Sequence, residues 1–256
     1  MQRLIRRNVV LRKIFYRGLG ILFLREWYVK HMIKDLDLNR NEILEILDAG
    51  SGFGQYSYYC AKRYRKANML GLEIDPDLVT DGNWFADKLG MDRLRVEKRD
   101  ITTIDYRDRF DLALSIDVLE HIEDDVTLLH HLFQALKPGG YLIVSTPTIY
   151  RKHHEDGEFV GEHFREGYSE ESILQKLSRV GFRPDRMIYG YGVWGDLSWR
   201  LGIRNTMRLM GHGILGKASA VLYLILLFPL IFSLMIIDYW WPNRRGTGIV
   251  VLASKP

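Results

Sequence analysis

From residue 43 to residue 190, short β-prone runs alternate with stretches of helical periodicity, and the first junction reads Asp48-Ala49-Gly50-Ser51-Gly52-Phe53-Gly54. This alternation predicts strands over 43–48, 67–74, 94–98, 110–116 and 141–146, with helices over 55–66, 77–89 and 126–136 between them. Ser169 is placed to cap a further helix carrying Ile173, Leu174, Leu177 and Val180, with Glu170 and Glu171 in its first turn and Gly181 at its end. Strands separated by helices of this length imply a mostly parallel sheet covered on both faces, an α/β fold of the Rossmann-like kind.

The glycine junction is the chemically informative one. Glycines let a backbone approach a ligand closely, and this loop opens onto a helix N-terminus at the C-terminal end of a parallel strand, where open α/β sheets bind ligands. The glycines fall as G-x-G-x-G. A dinucleotide fingerprint requires G-x-G-x-x-G/A, and Gln55 stands where its last small residue belongs. No Lys-Ser/Thr pair follows, which excludes a P-loop. The second strand ends in Glu73, about 20 residues on, where an acid can accept hydrogen bonds from both ribose hydroxyls. Asp75 follows, and Asp100 comes after the third strand.

LDAGSGFG, GLEID, KRDI, FDLALSIDVLEHI and ALKPGGYLIVSTP, in that order and spacing, resemble the motifs of class I S-adenosylmethionine-dependent methyltransferases. The resemblance runs from about residue 43 to residue 190 and includes a last strand over 248–253. It implies a seven-stranded sheet, S-adenosyl-L-methionine as cofactor, and a set of cofactor-binding positions. Asp48 and the backbone of Gly50, Gly52 and Gly54 would hold the aminoacyl part, Glu73 the ribose diol, Ile74 the adenine face, and Asp100 with the Ile101 amide the adenine edge. Asp117, opening the loop after strand four, would face the transferred methyl. Asp48 could instead serve only as a cap of the glycine turn.

Methyl transfer from a sulfonium needs an aligned lone pair and exclusion of water, with a base where the nucleophile is a hydroxyl. Candidates follow strands four and five. The resemblance makes His163 the first choice for a base, since the corresponding loop covers the acceptor in related enzymes. Tyr168 and Arg165 are candidates for orienting the acceptor, and His121 is a further candidate that could equally be structural. His153-His154-Glu155-Asp156 mimics a metal cluster, but adjacent side chains do not converge without other ligands, so no metal site is expected.

The two ends of the chain differ in character from this core. Residues 1–34 hold nine Lys/Arg and one acid, Glu26, so the net +4 of the whole chain is confined to an N-terminal arm, 1–40, in which cations alternate with apolar residues. A basic amphipathic stretch suits an anionic membrane surface, though it could simply cover the domain. The overall excess is too small to suggest nucleic acid. Residues 218–237 carry no charge, and about 20 residues of helix reach ~30 Å, the thickness of a bilayer core. Arg200, Arg204, Arg208 and Lys217 precede this run; Trp240, Trp241, Arg244 and Arg245 follow it, as at a membrane interface. The resemblance implies that strands six (182–191) and seven pair in one sheet, so the excursion 196–245 must leave the domain 41–195 and 246–256 and return to it. A single crossing is then forbidden, and Pro229 is expected to divide the run into two short helices that dip into one leaflet. The single cysteine, Cys60, fits a reducing compartment. The expected protein is thus a methyltransferase held on the cytoplasmic face of a membrane, with a lipophilic acceptor such as a quinone or other isoprenoid, a polyene or other lipid, or a lipid-linked sugar. The alternatives are a membrane-associated NAD-dependent oxidoreductase and a non-catalytic scaffold with a decayed pocket.

Overall fold

The structure is a computed structural model that describes residues 7–150 and 164–256. Seven strands form one sheet: β1 (Glu45–Ala49), β2 (Asn68–Glu73), β3 (Leu94–Lys98), β4 (Phe110–Ile116), β5 (Leu136–Pro147), β6 (Arg183–Gly190) and β7 (Gly248–Ser254). Their order is β3-β2-β1-β4-β5-β7-β6. β1 to β5 pair in parallel, and β7 runs antiparallel between β5 and β6. Strand order reverses between β1 and β4, so the loops after these strands diverge and leave a crevice at their C-terminal ends.

Helices cover both faces. α1 (Val9–Leu22) and α2 (Leu24–Asp35) precede the sheet; α3 (Gln55–Arg63) and α4 (Pro76–Lys88) join β1 to β2 and β2 to β3. α5 (Asp125–Ala135) and α6 (Glu170–Val180) lie on the opposite face, where Leu128, Leu129, Leu132, Ile173 and Leu177 pack against Leu47, Ala113 and Val144. The local signals act as expected. The Asp75 carboxylate caps α4 by accepting the Asp77 N–H, with Pro76 at the first helical position. Ser169 caps α6, and Gly181 ends it in the left-handed region. β5 starts earlier than 141, because Leu136 already pairs with Phe110 and the Lys-Pro-Gly-Gly turn is absorbed as an irregularity in that ladder.

The N-terminal arm is two helices with different roles. α2 is a core helix: Leu24, Val29, Met32 and Ile33 are fully buried in the cluster that includes Ile46, Leu112, Ile143 and Val250. α1 lies outside it and keeps Val10, Leu11, Ile14 and Ile21 exposed.

The excursion between β6 and β7 is a helical hairpin. Its outbound arm is α7 (Val193–Trp199), a π-helical turn over Arg200–Arg204, and α8 (Asn205–Met210). Its return arm is one helix, α9 (Gly213–Trp240), about 42 Å long at ~1.5 Å per residue. The expected pair of short helices divided at Pro229 is therefore corrected: Pro229 lies inside a continuous helix. Packing on both sides of the proline carries the helix past it. Gly216 and Ala220 are buried before it; Ile231, Leu234 and Met235 are buried after it, with Ile231 and Met235 in the core beside α2. The hairpin's base is pinned by Asp238, which accepts the Gly195 N–H at 2.8 Å and the Tyr28 hydroxyl at 2.9 Å. Because β7 sits in the sheet, both ends of the hairpin return to the same place, as the topology requires.

Candidate active site

The glycine loop is held from three sides. Gly50 and Ser51 donate their N–H groups to Leu72 O at the tip of β2 (3.0 and 2.9 Å), which ties the loop to the neighbouring strand. Gly50, Gly52 and Gly54 all have positive φ. At Gly50 a Cβ would stand 2.5 Å from Val118, so that position also requires the absence of a side chain. From outside, α1 clamps the loop: Arg12 donates to Phe53 O (2.7 Å) and to Asp81 O (2.7 Å), and the Tyr16 hydroxyl also donates to Phe53 O. Burial pushes the Tyr16 hydroxyl up to about 12, so it remains a donor.

Glu73 is held through both of its carboxylate oxygens. One carboxylate oxygen accepts the Gly52 N–H at 2.8 Å; the other accepts the N–H groups of Ile74 and Asp75 at 2.8 and 3.0 Å. Three backbone donors thus fix the carboxylate at the mouth of a cavity of about 720 Å³, lined by Gly50, Gly52, Glu73, Ile74, Asp100, Ile101 and Asp117, and also by Val118, His121 and Phe164. Ile74 is exposed into this space and offers an apolar surface on which a flat ring can lie. One Asp100 oxygen is engaged by Thr102, through its N–H and its hydroxyl. A Cβ at Gly52 would meet nothing within 4 Å, so the loop backbone borders open space. A fixed carboxylate for a diol, an apolar platform, a second acid and a bare backbone together fit an adenosyl group with an amino-acid tail.

Two of the expected cofactor positions lie elsewhere. Asp48 is buried beneath the loop, where it accepts the Ser57 hydroxyl at 2.6 Å; burial raises its carboxyl to about 6. Gly54 caps α3 in the left-handed conformation. Neither lines the cavity, and both shape the loop that does.

Of the expected catalytic residues, His163 lies outside the described residues, as do His153, His154, Glu155 and Asp156. His121 lines the cofactor cavity. Tyr168 is corrected: its side chain is 2% exposed within the core and donates to Asp125 at 2.5 Å, so burial and this acceptor raise its hydroxyl well above the usual range. It does not line the cofactor cavity. Arg165 is likewise structural. It donates to the carbonyls of Leu119, Ile122 and Glu123 and pairs with Asp125, bracing the loop after β4.

Asp117 connects this site to a second, larger cavity. It has φ +54, a conformation uncommon for a non-glycine residue and concentrated at functional sites, and its carboxylate is paired with Arg25 of α2. It lines both spaces. The second cavity measures about 1240 Å³ and extends from Phe23, Tyr28 and Thr146 along the outbound arm of the hairpin to His212. Nothing in the local residue pattern announces this wall. Arg200, Arg204 and Arg208 read there only as charges flanking an apolar run, and the residues they face come from α2, β5 and the chain before β7.

A family model described as a methyltransferase domain matches residues 41–179, more than half of the chain. The chain belongs to this methyltransferase family. Its relatives include phosphoethanolamine N-methyltransferase 1 of Triticum aestivum, 32% identical over 120 residues covering 45% of this chain and 23% of that protein. They also include the ubiquinone biosynthesis O-methyltransferase of Azorhizobium caulinodans, 33% identical over 128 residues, 48% of this chain and 49% of that one. The chain thus spans between about a quarter and a half of the length of these relatives. Among solved structures, Haemonchus contortus phosphoethanolamine N-methyltransferase 2 in complex with S-adenosyl-L-methionine superposes with a TM-score of 0.62 at 17% identity, covering 94% of this chain and 60% of that one. A SAM-dependent methyltransferase from Aquifex aeolicus gives 0.53 at 21% identity over 67% and 86%. Fold and family agree: the chain carries a methyltransferase domain, and a solved neighbour of the same fold holds S-adenosyl-L-methionine.

Proposed function

We propose that the protein transfers the methyl group of S-adenosylmethionine to a lipophilic acceptor at a membrane surface. The cofactor, when bound, supplies an activated methyl on a sulfonium. The chain then has to orient donor and acceptor and keep water out. Glu73, Asp100 and the glycine loop fix the donor, and Asp117, at the junction of the two cavities, marks where an acceptor lone pair has to arrive. Holding the two partners in line is worth up to ~7–11 kcal/mol in favourable cases.

The observation that carries the membrane reading is the surface of α9. The helix is uncharged over residues 218–237, and only 22% of its most apolar 18-residue window is buried. A core helix would be mostly covered. Instead Leu222, Ile225, Leu226 and Leu230 are each at least half exposed, with Trp240 and Trp241 exposed at the end nearest the sheet. This helix backs the arm that walls the acceptor cavity, so the surface that would meet lipid belongs to the site's own wall. The exposed apolar residues of α1 and the basic N-terminal sequence would rest on the same leaflet, the cytoplasmic one. One relative is named for ubiquinone biosynthesis, in keeping with a lipophilic acceptor.

Vesicle flotation tests this reading. Replacing Leu222, Ile225, Leu226 and Leu230 with Ser spares Ile231, which is buried in the core. The wild-type chain is expected to float with anionic vesicles and the variant to stay in the bottom fraction, with S-adenosylhomocysteine affinity equal in both. Flotation of the variant at the wild-type level refutes the α9 anchor.

A further inference from the structure

The acceptor cavity is apolar in area but cationic in charge. Five arginines line it, Arg25, Arg200, Arg204, Arg208 and Arg245, against three carboxylates, Asp117, Glu166 and Asp196, a surplus of two positive charges. Two of these pairs are internal, Arg25 with Asp117 and Arg200 with Asp196. Arg200 also has a buried Nε with no acceptor. Arg200, Arg204 and Arg208 recur every four residues along the outbound arm, about 6 Å apart and ~12 Å from first to last. In a regular α-helix such a set drifts around the axis by about 40° per step. The π-helical turn over Arg200–Arg204, with its wider i→i+5 closure, offsets that drift, and all three arginines line the one cavity. π-turns occur frequently at functional sites. Between and beside them lie Trp199, Ile203 and Met207, an apolar strip interleaved with the charges.

A row of guanidinium groups inside a concave apolar surface suits one kind of guest. Guanidinium forks bind phosphate oxygens in a bidentate manner, and they are less strongly hydrated than ammonium groups and so tolerate partial burial. The apolar strip requires a chain attached to that phosphate. We propose that the acceptor is an amphiphile carrying a phosphate ester, with its phosphate on the Arg200–Arg204–Arg208 ladder, its apolar chain along Trp199, Ile203 and Met207, and its methylated part toward Asp117. This rests on the larger cavity being the acceptor site of the methyltransferase.

Calorimetry on the full chain with S-adenosylhomocysteine bound tests it, using octyl phosphate, octyl glucoside and inorganic phosphate as probes. Octyl phosphate is expected to bind at least ten-fold more tightly than either of the others. Arg204→Gln with Arg208→Gln should weaken it at least ten-fold and leave S-adenosylhomocysteine affinity unchanged, while Arg204→Lys with Arg208→Lys should keep part of it. Equal binding of octyl glucoside removes the phosphate from the proposal, and equal binding of inorganic phosphate removes the chain. Loss of vesicle flotation in the Gln variant with octyl phosphate affinity intact assigns the arginines to the bilayer surface and overturns it. The wild-type comparison of the three probes needs no variant, so a Gln variant that fails to fold leaves the proposal open to refutation. Absence of S-adenosylhomocysteine binding to the wild type would defeat the methyltransferase reading instead.

Discussion

Glu73→Ala removes the carboxylate that the fold has already paired with three backbone N–H groups. Its loss deletes the acceptor for the ribose hydroxyls and frees Gly52, Ile74 and Asp75, whose N–H groups it engages at 2.8 to 3.0 Å. A hydrogen bond to a charged group contributes ~1.5–3 kcal/mol, and such losses add incompletely. The expected penalty on cofactor binding is about 2–4 kcal/mol, or roughly 30- to 1,000-fold in Kd. Glu73→Gln is a sharper probe. Both carboxylate oxygens accept backbone donors, so an amide in either orientation turns an NH2 toward at least one N–H and leaves that donor unpaired. It should therefore lose affinity even though shape is conserved. Calorimetric titration with S-adenosylhomocysteine measures both variants, and thermal unfolding confirms that they are folded. Folded variants that bind within about two-fold of wild type would refute the placement of the ribose at Glu73.

Two further outcomes concern the loop's foundations. Asp48 is a buried acid whose carboxyl is raised to about 6, so the folded chain holds its proton more tightly than the unfolded chain does. Its contribution to stability is full below pH 4 and is lost as pH rises to 6, on the order of 2–3 kcal/mol. Asp48→Asn should thus gain stability relative to wild type between pH 4 and pH 7.5, and a difference in melting temperature that is flat with pH contradicts the buried-acid assignment. Gly50→Ala adds a Cβ 2.5 Å from Val118 at φ +82 and should cost about 1–3 kcal/mol. Val118→Ala in the same chain should recover the part due to the clash and leave the part due to φ, which a double-mutant cycle in thermal or urea unfolding resolves.

Much of this site was legible because its parts are local. The glycine spacing, Glu73 at the end of β2 and Asp100 after β3 are each set by a short segment, and the parallel sheet brings their ends together. What escaped depends on long-range packing. Tyr168 sits near the expected acceptor loop, but its hydroxyl finds Asp125, 43 positions away, and turns inward. Pro229 signals a break in isolation, since a proline removes a donor and crowds the preceding turn. The helix continues because both sides of the proline are held by tertiary contacts, Ala220 before it and Ile231 after it. Arg25 reads as one more charge in a basic arm, yet α2 carries it to Asp117. The arginine ladder acquires a meaning only when the hairpin folds against α2 and β5.

Incubation of the chain with methyl-tritiated S-adenosylmethionine, an anionic lipid extract and an aqueous metabolite extract, followed by organic extraction, tests methyl transfer at a membrane most directly. Label should enter the organic phase or an anionic amphiphile at its boundary, and the Leu222, Ile225, Leu226 and Leu230 to Ser variant should lose most of that signal. Label that appears only in water-soluble products, at equal rates in the wild type and the variant, would contradict it.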